Sequence, residues 1–478
     1  MFVYNNEEVS IAQYMAMVYE KNISDHNQPL IIVKHGENMI HLPPEFCRID
    51  GVPDSIRASP GMRDCLAICR VNPEQKMKDI NSLIGLLMNQ QVFRDWNLTI
   101  ESNPIDLRNQ TVLNEPQIFK QNQLIHINEN VMRRLPIQKV VNLGFEEWIM
   151  VYQTGNRRSN YTAANNIYEG LVQSCAALGV TVEEPFWIEL ENEGNMDDLE
   201  AEIQYYMTKG EYRFPKIIVT VLGNEKLYEA HKNLYRVYQI PSQIVTSRNG
   251  MKFNLSKASN ILKQINSKMG GDLFHLKFPD KMANMKTMLI GIDVCHAGGN
   301  SIVGFAASVN KEMSQYYSDF IVQKKGQEVV QSQIKECIKN ALDLFAKNHN
   351  NNMPSDILIY RDGVSAAERG QVISKEVSQF QEACNEMYNQ ASVRPKITVI
   401  IVNKRIIQSF FVVDGQGRLN NPPSGCIIDR DLVESTGGPQ AKEFDFFLVP
   451  VRGTQGCMRP THFFVPLNQS SLSKLEIE

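Results

Sequence analysis

Two aspartates stand in similar positions within two apolar segments of the sequence. Asp293 lies inside LIGIDV, and Asp362 ends LIYRDG just before its glycine. A carboxylate among aliphatic residues is costly to bury unless a cation or a hydrogen-bond donor meets it. Two carboxylates at neighbouring strand ends would suit Mg²⁺ or Mn²⁺, which prefer oxygen ligands and keep part of their water. The pattern therefore indicates a shared metal site.

A structural role is the alternative for the same two residues. Asp293 could cap a turn, and Asp362 could pair with Arg361 or another base, because aspartates at strand ends are common turn residues. Spacing alone leaves both possibilities open.

The surrounding pattern predicts that these acids lie in an α/β fold, because strands alternate with helices. From residue 146, strands are predicted at EEWIMVYQ and PKIIVTVLG, with helices at YTAANNIYEGLVQSCAALG, ended by Gly179, and at EKLYEAHKNLYRV. From residue 287, strands are predicted at TMLIGIDV, SIVGFAASV, YYSDFIVQ, ILIYRDG, KITVIIVNK and FDFFLVPV. Helices are predicted over EVVQSQIKECIKNALDLFAK and over residues 366–388, which gives an open mixed sheet with both faces covered.

Length and composition limit the class of protein. A chain of 478 residues predicts two to four domains, and 43% hydrophobic with 21% charged residues is a globular composition. The net charge of -4 argues against a sequence-blind nucleic-acid binder but allows a local basic groove. Nine cysteines without a CxxC pair predict reduced thiols, mostly in the core. No apolar run is long enough to span a bilayer and the start lacks a signal peptide, which predicts a cytoplasmic or nuclear protein without a membrane partner.

Six segments resemble, in the same order, segments of the PIWI domain of the Argonaute/PIWI family. They are GIDVCH, QEVVQSQI, LIYRDGV, VNKRIIQSFF, FDFFLVPV and RPTHFFVP. The resemblance implies a ribonuclease H-like fold with a catalytic set of Asp, Glu, Asp and a closing His, which holds two Mg²⁺ or Mn²⁺ ions and cleaves RNA. By position, the catalytic and metal-binding acids are Asp293, Glu328 and Asp362.

Two of these assignments have alternatives. Glu328 could simply open a helix, where a carboxylate favours the N-terminal dipole. His462 falls in a structural motif of the family, so we predict that it is buried and hydrogen-bonded. The resemblance places the closing histidine beyond the end of this chain, so that ligand is predicted to be missing.

The preceding unit resembles the MID domain of the same family, with a Rossmann-like fold. The resemblance implies capture of the 5′ phosphate of a small guide RNA. The residues assigned to that pocket are Tyr228, Lys232, Gln243, Gln264 and Lys268. Converging helix ends, two lysines and an amide would favour an anion, and Tyr228 could stack on the first base. Without the family, the same positions would be typical of a solvated helix face. Gln264 favours the PIWI clade, which tends to carry glutamine where Argonautes carry lysine.

The predicted organisation has four parts. Residues 1–45 resemble the end of a PAZ domain, residues 46–145 a mixed α/β second linker region, residues 146–285 the MID domain, and residues 286–478 a PIWI domain truncated at its C-terminus. Met1 falls within the PAZ domain by this comparison. We therefore expect a fragment or a truncated gene model, with a natural short form as the alternative.

The leading hypothesis is a small-RNA-guided endoribonuclease that binds a complementary target RNA, with silencing-complex proteins as further candidate partners. Lys404 and Arg405 are candidates for contacts to the duplex, with a solvated strand end as the alternative. A non-cleaving guide-RNA-binding silencing factor that acts through recruited partners is the second hypothesis. A nucleotide-binding enzyme unrelated to RNA lacks support, because the sequence has no GxGxxG or Walker loop.

Overall fold

The computed structural model describes residues 2–477 with short gaps. The positions left out are 1, 6, 36–37, 49–50, 53–55, 57–58, 60, 108–109, 114–116, 121–122, 127–134, 136, 155–158, 210–213, 285, 298, 331, 389–393, 435–442, 452, 454 and 478. The chain divides into two compact units. Unit 1 comprises Met1–Ser102, Val413–Asn420 and Thr454–Cys457, and unit 2 comprises Asn103–Val412, Asn421–Gly453 and Met458–Glu478. The four predicted domain boundaries stay predictions.

The N-terminal segment of unit 1 contains two hairpins and four α-helices among its described residues. Its strands are β1 (Phe2–Tyr4), β2 (Glu7–Val9), β3 (Ile31–His35) and β4 (Asn38–Leu42), and its helices are α1 (Ile11–Tyr19), α2 (Gly61–Cys69), α3 (Pro73–Met88) and α4 (Gln91–Asp95). The sequence of helix α3 has the clearest helical pattern in this region. The Asn72 side chain accepts a hydrogen bond from the amide of Gln75, and Pro73 fits the first turn because it has no amide to satisfy.

The first part of unit 2 is a parallel sheet between helices. Short strands β5 (Thr111–Val112), β6 (Gln117–Lys120) and β7 (Gln123–His126) precede it. The sheet has the order β11-β10-β8-β9, with β8 (Ile149–Gln153), β9 (Phe186–Leu190), β10 (Ile218–Leu222) and β11 (Ser242–Thr246) all parallel. Its helices are α5 (Ser159–Leu178), α6 (Met196–Lys209), α7 (Tyr228–Val237), α8 (Ser247–Met251) and α9 (Leu255–Lys268). The sequence patterns identified β8, β10, α5 and α7 but missed β9 and α6.

This sheet has a separate core on each face. Ile149 and Val151 pack on one side, and Met150 and Tyr152 pack on the other. Alternate residues of a strand face opposite ways, so an uninterrupted apolar strand requires helices on both sides. Helix α5 ends where predicted, at Gly179, whose φ of +71° suits glycine.

The second part of unit 2 is a nine-stranded mixed sheet. Its order is β15-β14-β13-β16-β17-β22-β21-β20-β5. The remaining strands of the chain are β12 (His275–Leu276), β13 (Thr287–Ala297), β14 (Asn300–Ser308), β15 (Tyr316–Lys324), β16 (Asp356–Asp362), β17 (Lys396–Asn403), β18 (Val412–Val413), β19 (Leu419–Asn420), β20 (Cys426–Ile428), β21 (Phe444–Leu448) and β22 (Thr461–Asn468). Strand β12 pairs with β6, and β18 pairs with β19, which belongs to unit 1. Strands β13, β16 and β17 are parallel, and the strands outside them run antiparallel. The predicted open mixed sheet is confirmed.

Two helices pack on one face of this sheet. They are α11 (Ile334–Asn348) and α12, which has an α-helical start Arg369–Gln371, a π-helical turn Val372–Val377 and an α-helical end Ser378–Met387. Short helices α10 (Asp280–Asn284) and α13 (Lys474–Ile477) complete the unit. The helical spacing of five residues in the sequence predicts one apolar face, and all five are buried, namely Val330, Ile334, Ile338, Ala341 and Phe345. The predicted start is wrong, because the helix begins at Ile334 and not at residue 328.

The cysteines and the helix lengths complete the comparison with the sequence. All nine cysteines are free thiols, but only Cys337, Cys384 and Cys426 are buried, so the expectation that most lie in the core is wrong. Within the ranges that the structure describes, no helix combines the length and apolarity needed to cross a bilayer.

Replacing Phe345 tests the importance of the core under the nine-stranded sheet. Phe345 is 1% exposed, so Phe345→Ala should lower the free energy of unfolding by about 3 to 5 kcal/mol through lost burial and a cavity. Phe320 is 64% exposed on strand β15, and Phe320→Ala should change the free energy by less than about 0.5 kcal/mol. Urea denaturation followed by circular dichroism checks both, and similar losses in the two variants would contradict this account.

Candidate active site and anion pocket

Strand pairing places Asp293 and Asp362 side by side. Strands β13 and β16 are parallel, and their last paired residues are Ile292 and Arg361, directly before the two aspartates. Residues in the same register of a parallel pair face the same side of the sheet at a strand spacing of about 4.8 Å. Strand β16 ends at Asp362, whereas β13 continues to Ala297. Asp293 therefore lies within its strand, and the prediction that it lies at a strand end is wrong. The sheet nevertheless brings the two acids together.

A lysine rather than an arginine meets Asp362. Lys404 Nζ lies 2.5 Å from Asp362 Oδ2. This hydrogen bond raises the pKa of Lys404, and the charge of Asp293 contributes to the same rise. The alternative that Asp362 pairs with Arg361 or another base is confirmed for another base, Lys404. The Arg361 side chain reaches only the backbone carbonyl of Asp362, because consecutive strand residues point to opposite faces. A cation therefore lies within reach of both carboxylates. The Lys404 side chain is 65% exposed, so the ion pair contributes little stability.

Glu328 approaches the same place from a loop. It lies six residues before the first residue of α11, so the helix-opening role considered for it is wrong. Its Oε1 lies 3.2 Å from Arg361 Nη1, and its Oε2 lies 3.3 Å from His296 Nε2. A Cβ placed on Gly363 would be only 3.3 Å from Glu328 Oε1. The third predicted acid thus lies against the residue that follows Asp362.

The loop is not helical because its backbone groups have other partners. The amide of Val330 donates to Glu376 Oε1 at 2.8 Å, and its carbonyl accepts from Gln379 Nε2 at 3.2 Å. Gln333 has a left-handed conformation with φ of +72°, which a helix cannot contain. These contacts satisfy the polar groups that a first helical turn would have used.

A buried arginine organises the cluster. Arg361 is fully buried, and its Nε lies 3.2 and 3.1 Å from the two carboxylate oxygens of Glu376. Its Nη2 donates to the backbone carbonyl of Glu328 at 2.5 Å, and its Nη1 donates to Glu328 Oε1. Burial raises the pKa of Glu328, while Arg361 and His296 offset part of that rise. One guanidinium is therefore shared by two carboxylates.

Sequence reasoning missed two members of this cluster. His296 follows Asp293 by three residues within the GIDVCH segment, and its Nδ1 lies 2.8 Å from Ser301 Oγ. The short spacing between Asp293 and His296 on one strand could have identified His296 as a candidate site residue. Glu376 lies fourteen residues after Asp362 in a helical pattern, where a glutamate is normally solvated. No local sequence signal distinguished it.

The acids fit a divalent ion in chemistry. Asp293, Asp362 and Glu328 supply oxygen ligands of the kind that Mg²⁺ prefers. The Lys404 ammonium pairs with Asp362 and is also affected by the charge of Asp293, so these carboxylates attract a cation. Among the residues described here, no three His, Cys, Asp or Glu side chains already form a coordination group. Glu328 is turned towards Arg361 and His296, so metal binding requires side-chain adjustment.

The two remaining polar residues of this region differ in role. His462 is 7% exposed, and its Nε2 lies 2.8 Å from Oδ2 of the buried Asp445. Its ring also stacks on Phe447 with a centroid distance of 4.5 Å. The prediction that His462 is buried and hydrogen-bonded is confirmed. Arg405 follows Lys404 beyond the end of β17 and is exposed.

A second cluster, in the parallel-sheet part of unit 2, contains two lysines. Lys232 Nζ donates to Ser242 O at 2.9 Å and to Ser242 Oγ at 2.8 Å. Lys268 Nζ donates to the same Ser242 carbonyl at 2.8 Å and to Gln243 Oε1 at 2.8 Å. The Lys232 ammonium lies 5.8 Å from the centre of the Tyr228 ring. Four of the five residues assigned to the pocket are thus brought together, and Gln264 lies one turn before Lys268 in an exposed position.

The electrostatics of this cluster favour an anion. Within the described ranges, neither Lys232 nor Lys268 has an acidic partner. Burial and the neighbouring charge of Lys232 lower the pKa of Lys268 to about 8, and burial also lowers the pKa of Lys232. The two helix ends differ from the predicted arrangement. Helix α7 begins at Tyr228, whose amide donates to the carbonyl of Glu225, and Lys268 is the last residue of α9, so the positive charge of this cluster comes from the two ammonium groups.

Comparisons with known proteins agree with this geometry. The Piwi domain family model matches residues 217–478, and the PAZ domain family model matches residues 1–64. Piwi-like protein 1 of Gallus gallus is 30% identical over 98% of this chain and 54% of its own length. Protein argonaute-3 of Drosophila melanogaster is 29% identical over 95% of this chain and 52% of its own length. The chain spans about half the length of these curated relatives.

Solved structures show the same fold. Drosophila Piwi matches with a TM-score of 0.73 and 23% identity, over 100% of this chain and 62% of that one. Kluyveromyces polysporus Argonaute with a guide RNA matches with a TM-score of 0.71 and 18% identity, over 99% of this chain and 56% of that one. The predicted α/β fold with a ribonuclease H-like PIWI part is confirmed. The Piwi family model covers more than half of the sequence, and the chain belongs to the Argonaute/PIWI family.

Proposed function

We propose that this chain holds a small guide RNA by its 5′ phosphate and cleaves complementary RNA. The observation that supports the proposal is that Asp293 and Asp362 directly follow Ile292 and Arg361, the last paired residues of two neighbouring strands, and that Glu328 lies against Gly363. Similar folds have been solved with nucleic acid. One is the Kluyveromyces polysporus Argonaute with its guide RNA, and another is Clostridium butyricum Argonaute bound to a guide DNA and a target DNA, which has a TM-score of 0.73.

The acidic cluster would supply the ligands for cleavage. Asp293, Asp362 and Glu328 would hold Mg²⁺ or Mn²⁺, and a bound pair of such ions activates water and stabilises the leaving oxygen of a phosphodiester. Arg361 holds Glu328 against Gly363 through its contacts to the Glu328 carboxylate and carbonyl. Lys404, which is mostly exposed, can move from Asp362 to a phosphate of the RNA backbone.

The lysine cluster would anchor the guide. Lys232 and Lys268 converge on one carbonyl oxygen, so a terminal phosphate nearby would accept hydrogen bonds from two ammonium groups at once. Gln243 is buried and adds an amide next to Lys268. The Tyr228 ring is 48% exposed and offers a face for an unpaired base. This pocket selects an end of the guide and not its sequence.

A non-cleaving, guide-binding silencing factor is the second candidate. It is favoured by one observation: Lys404 forms an ion pair with Asp362, and a metal ion would have to displace that lysine. Such a protein would hold the guide and its target and act through recruited proteins. An assay of RNA cleavage by the guide-loaded protein separates the two candidates.

Asp362→Asn tests the cleavage proposal. Guide-loaded protein should cut a complementary RNA at one phosphodiester in the presence of Mg²⁺, and the variant should lose more than about 100-fold in rate, because even indirect support of a metal ligand is worth about 10- to 100-fold. Binding of guide and target should be retained. Asp343→Asn is the control, since Asp343 is a surface residue paired with Lys347. Stable target binding without product in the unsubstituted protein would favour the non-cleaving factor.

The anchor proposal predicts a pH dependence. The pKa of Lys268 is lowered to about 8, so its ammonium is present below that pH and is lost as pH rises through it. The preference for a 5′-phosphorylated over a 5′-hydroxyl RNA should fall by about tenfold between pH 7 and pH 9.5, since one charged hydrogen bond is worth about 1.5 to 3 kcal/mol. The bound phosphate should shift this midpoint upwards.

Fluorescence anisotropy at constant ionic strength would measure the preference. Lys268→Arg is the matched control, because arginine keeps its charge throughout this range and should flatten the profile. An unchanged preference in the unsubstituted protein across the same range would remove Lys268 from the anchor.

A further inference from the structure

Glu376 is a buried acid in an unusual backbone setting. It is 2% exposed and lies in the π-helical turn Val372–Val377 of α12. Turns of this type are rare and often mark functional positions, because the extra residue redirects the side chains around it. A buried carboxylate is costly unless it has charged and hydrogen-bonding partners. The π-helical turn therefore places the Glu376 carboxylate where its burial has to be offset by charged and hydrogen-bonding partners.

The partners of Glu376 connect two parts of the candidate active site. Both of its carboxylate oxygens face Arg361 Nε, and Oε1 also accepts the amide hydrogen bond of Val330 at 2.8 Å. Gln379, one turn later on the same helix, holds the Val330 carbonyl. Val330 is fully buried, so its side chain is fixed as well. The helix thus holds the loop two residues after Glu328.

The charges give Glu376 a second effect. Arg361 carries one positive charge and faces the carboxylates of both Glu376 and Glu328. Because Glu376 balances the guanidinium, the Glu328 carboxylate keeps attraction for another cation. Without the charge of Glu376, Glu328 would be the only carboxylate paired with Arg361, and its affinity for a metal ion would fall.

We propose that Glu376 is a positioning residue for the metal site. Glu376 holds Arg361 and the loop at Val330, so that the Glu328 carboxylate lies next to Gly363, the residue after Asp362, and its negative charge is available to a metal ion. The effect on cleavage rests on the function proposed above. The effect on the loop does not, since it follows from the contacts of Glu376 alone.

Glu376→Gln removes the charge and keeps the size of the side chain. Hydrogen exchange of residues 326–330 in the metal-free protein should become at least about tenfold faster, because an amide loses its protection when its acceptor is weakened. The Mn²⁺ concentration for half-maximal cleavage should rise about 10- to 100-fold, as for other residues that support metal ligands. Guide affinity should stay unchanged.

The control is Glu382→Gln, the same substitution on the surface of the same helix. The Glu382 side chain is 60% exposed and pairs only loosely with Lys335 at 3.7 Å. This variant should match the unsubstituted protein in loop exchange and in Mn²⁺ response.

A second variant covers the case in which Glu376→Gln does not fold. Gln379→Ala removes the contact to the Val330 carbonyl and leaves Arg361 paired, so it should speed loop exchange and raise the Mn²⁺ requirement by a smaller factor. If the unsubstituted protein does not cleave, the proposed function fails, and loop exchange together with direct Mn²⁺ binding decides the role of Glu376. Unchanged exchange and unchanged Mn²⁺ response in a folded Glu376→Gln protein would overturn the inference. Equal losses of guide binding and metal response would also overturn it, because they indicate a general structural role.

Discussion

The burial of one guanidinium is the constraint on which the candidate active site depends. Arg361 is fully buried at the end of strand β16, where an unpaired charge would be very unfavourable. The N–H groups of its guanidinium donate to acceptors on the β16 backbone, on the loop that carries Glu328 and on helix α12. Three separate stretches of sequence therefore have to meet at one point. The positions of two of the acids are set in this way, because Glu328 is a partner of Arg361 and Asp362 is the next residue in the chain.

Two opposite electrostatic environments exist within unit 2. At the mixed sheet, carboxylates gather around Arg361 and Lys404, and burial raises the pKa of Glu328. At the parallel sheet, Lys232 and Lys268 share a carbonyl, and the pKa of Lys268 is lowered. The overall charge of -4 reveals neither cluster. Local charge, held by backbone geometry, determines which ions each cluster attracts.

The sequence allowed the main strands and the neighbouring aspartates to be predicted for a clear reason. Parallel pairing aligns residues of neighbouring strands, and the last aligned pair, Ile292 and Arg361, directly precedes Asp293 and Asp362, although β13 itself continues to Ala297. The start of α11 could not be predicted, because residues 328–333 have a helical apolar pattern that contacts from Glu376 and Gln379 override. Glu376 itself gave no signal, since its burial depends on a π-helical turn and on a distant arginine. Strand β9 and helix α6 were missed although their residues form regular elements.

The triplet Arg361, Asp362 and Gly363 places three unrelated demands on adjacent positions. The first needs a cation that can be completely desolvated, and the second a carboxylate facing the opposite side of the sheet. The third needs the absence of a side chain, because its φ is +81° and Glu328 Oε1 occupies the adjoining space. A saturation mutagenesis experiment would therefore find three consecutive intolerant codons with no common chemical preference. Each failure would have its own signature, in folding, in charge or in loop placement.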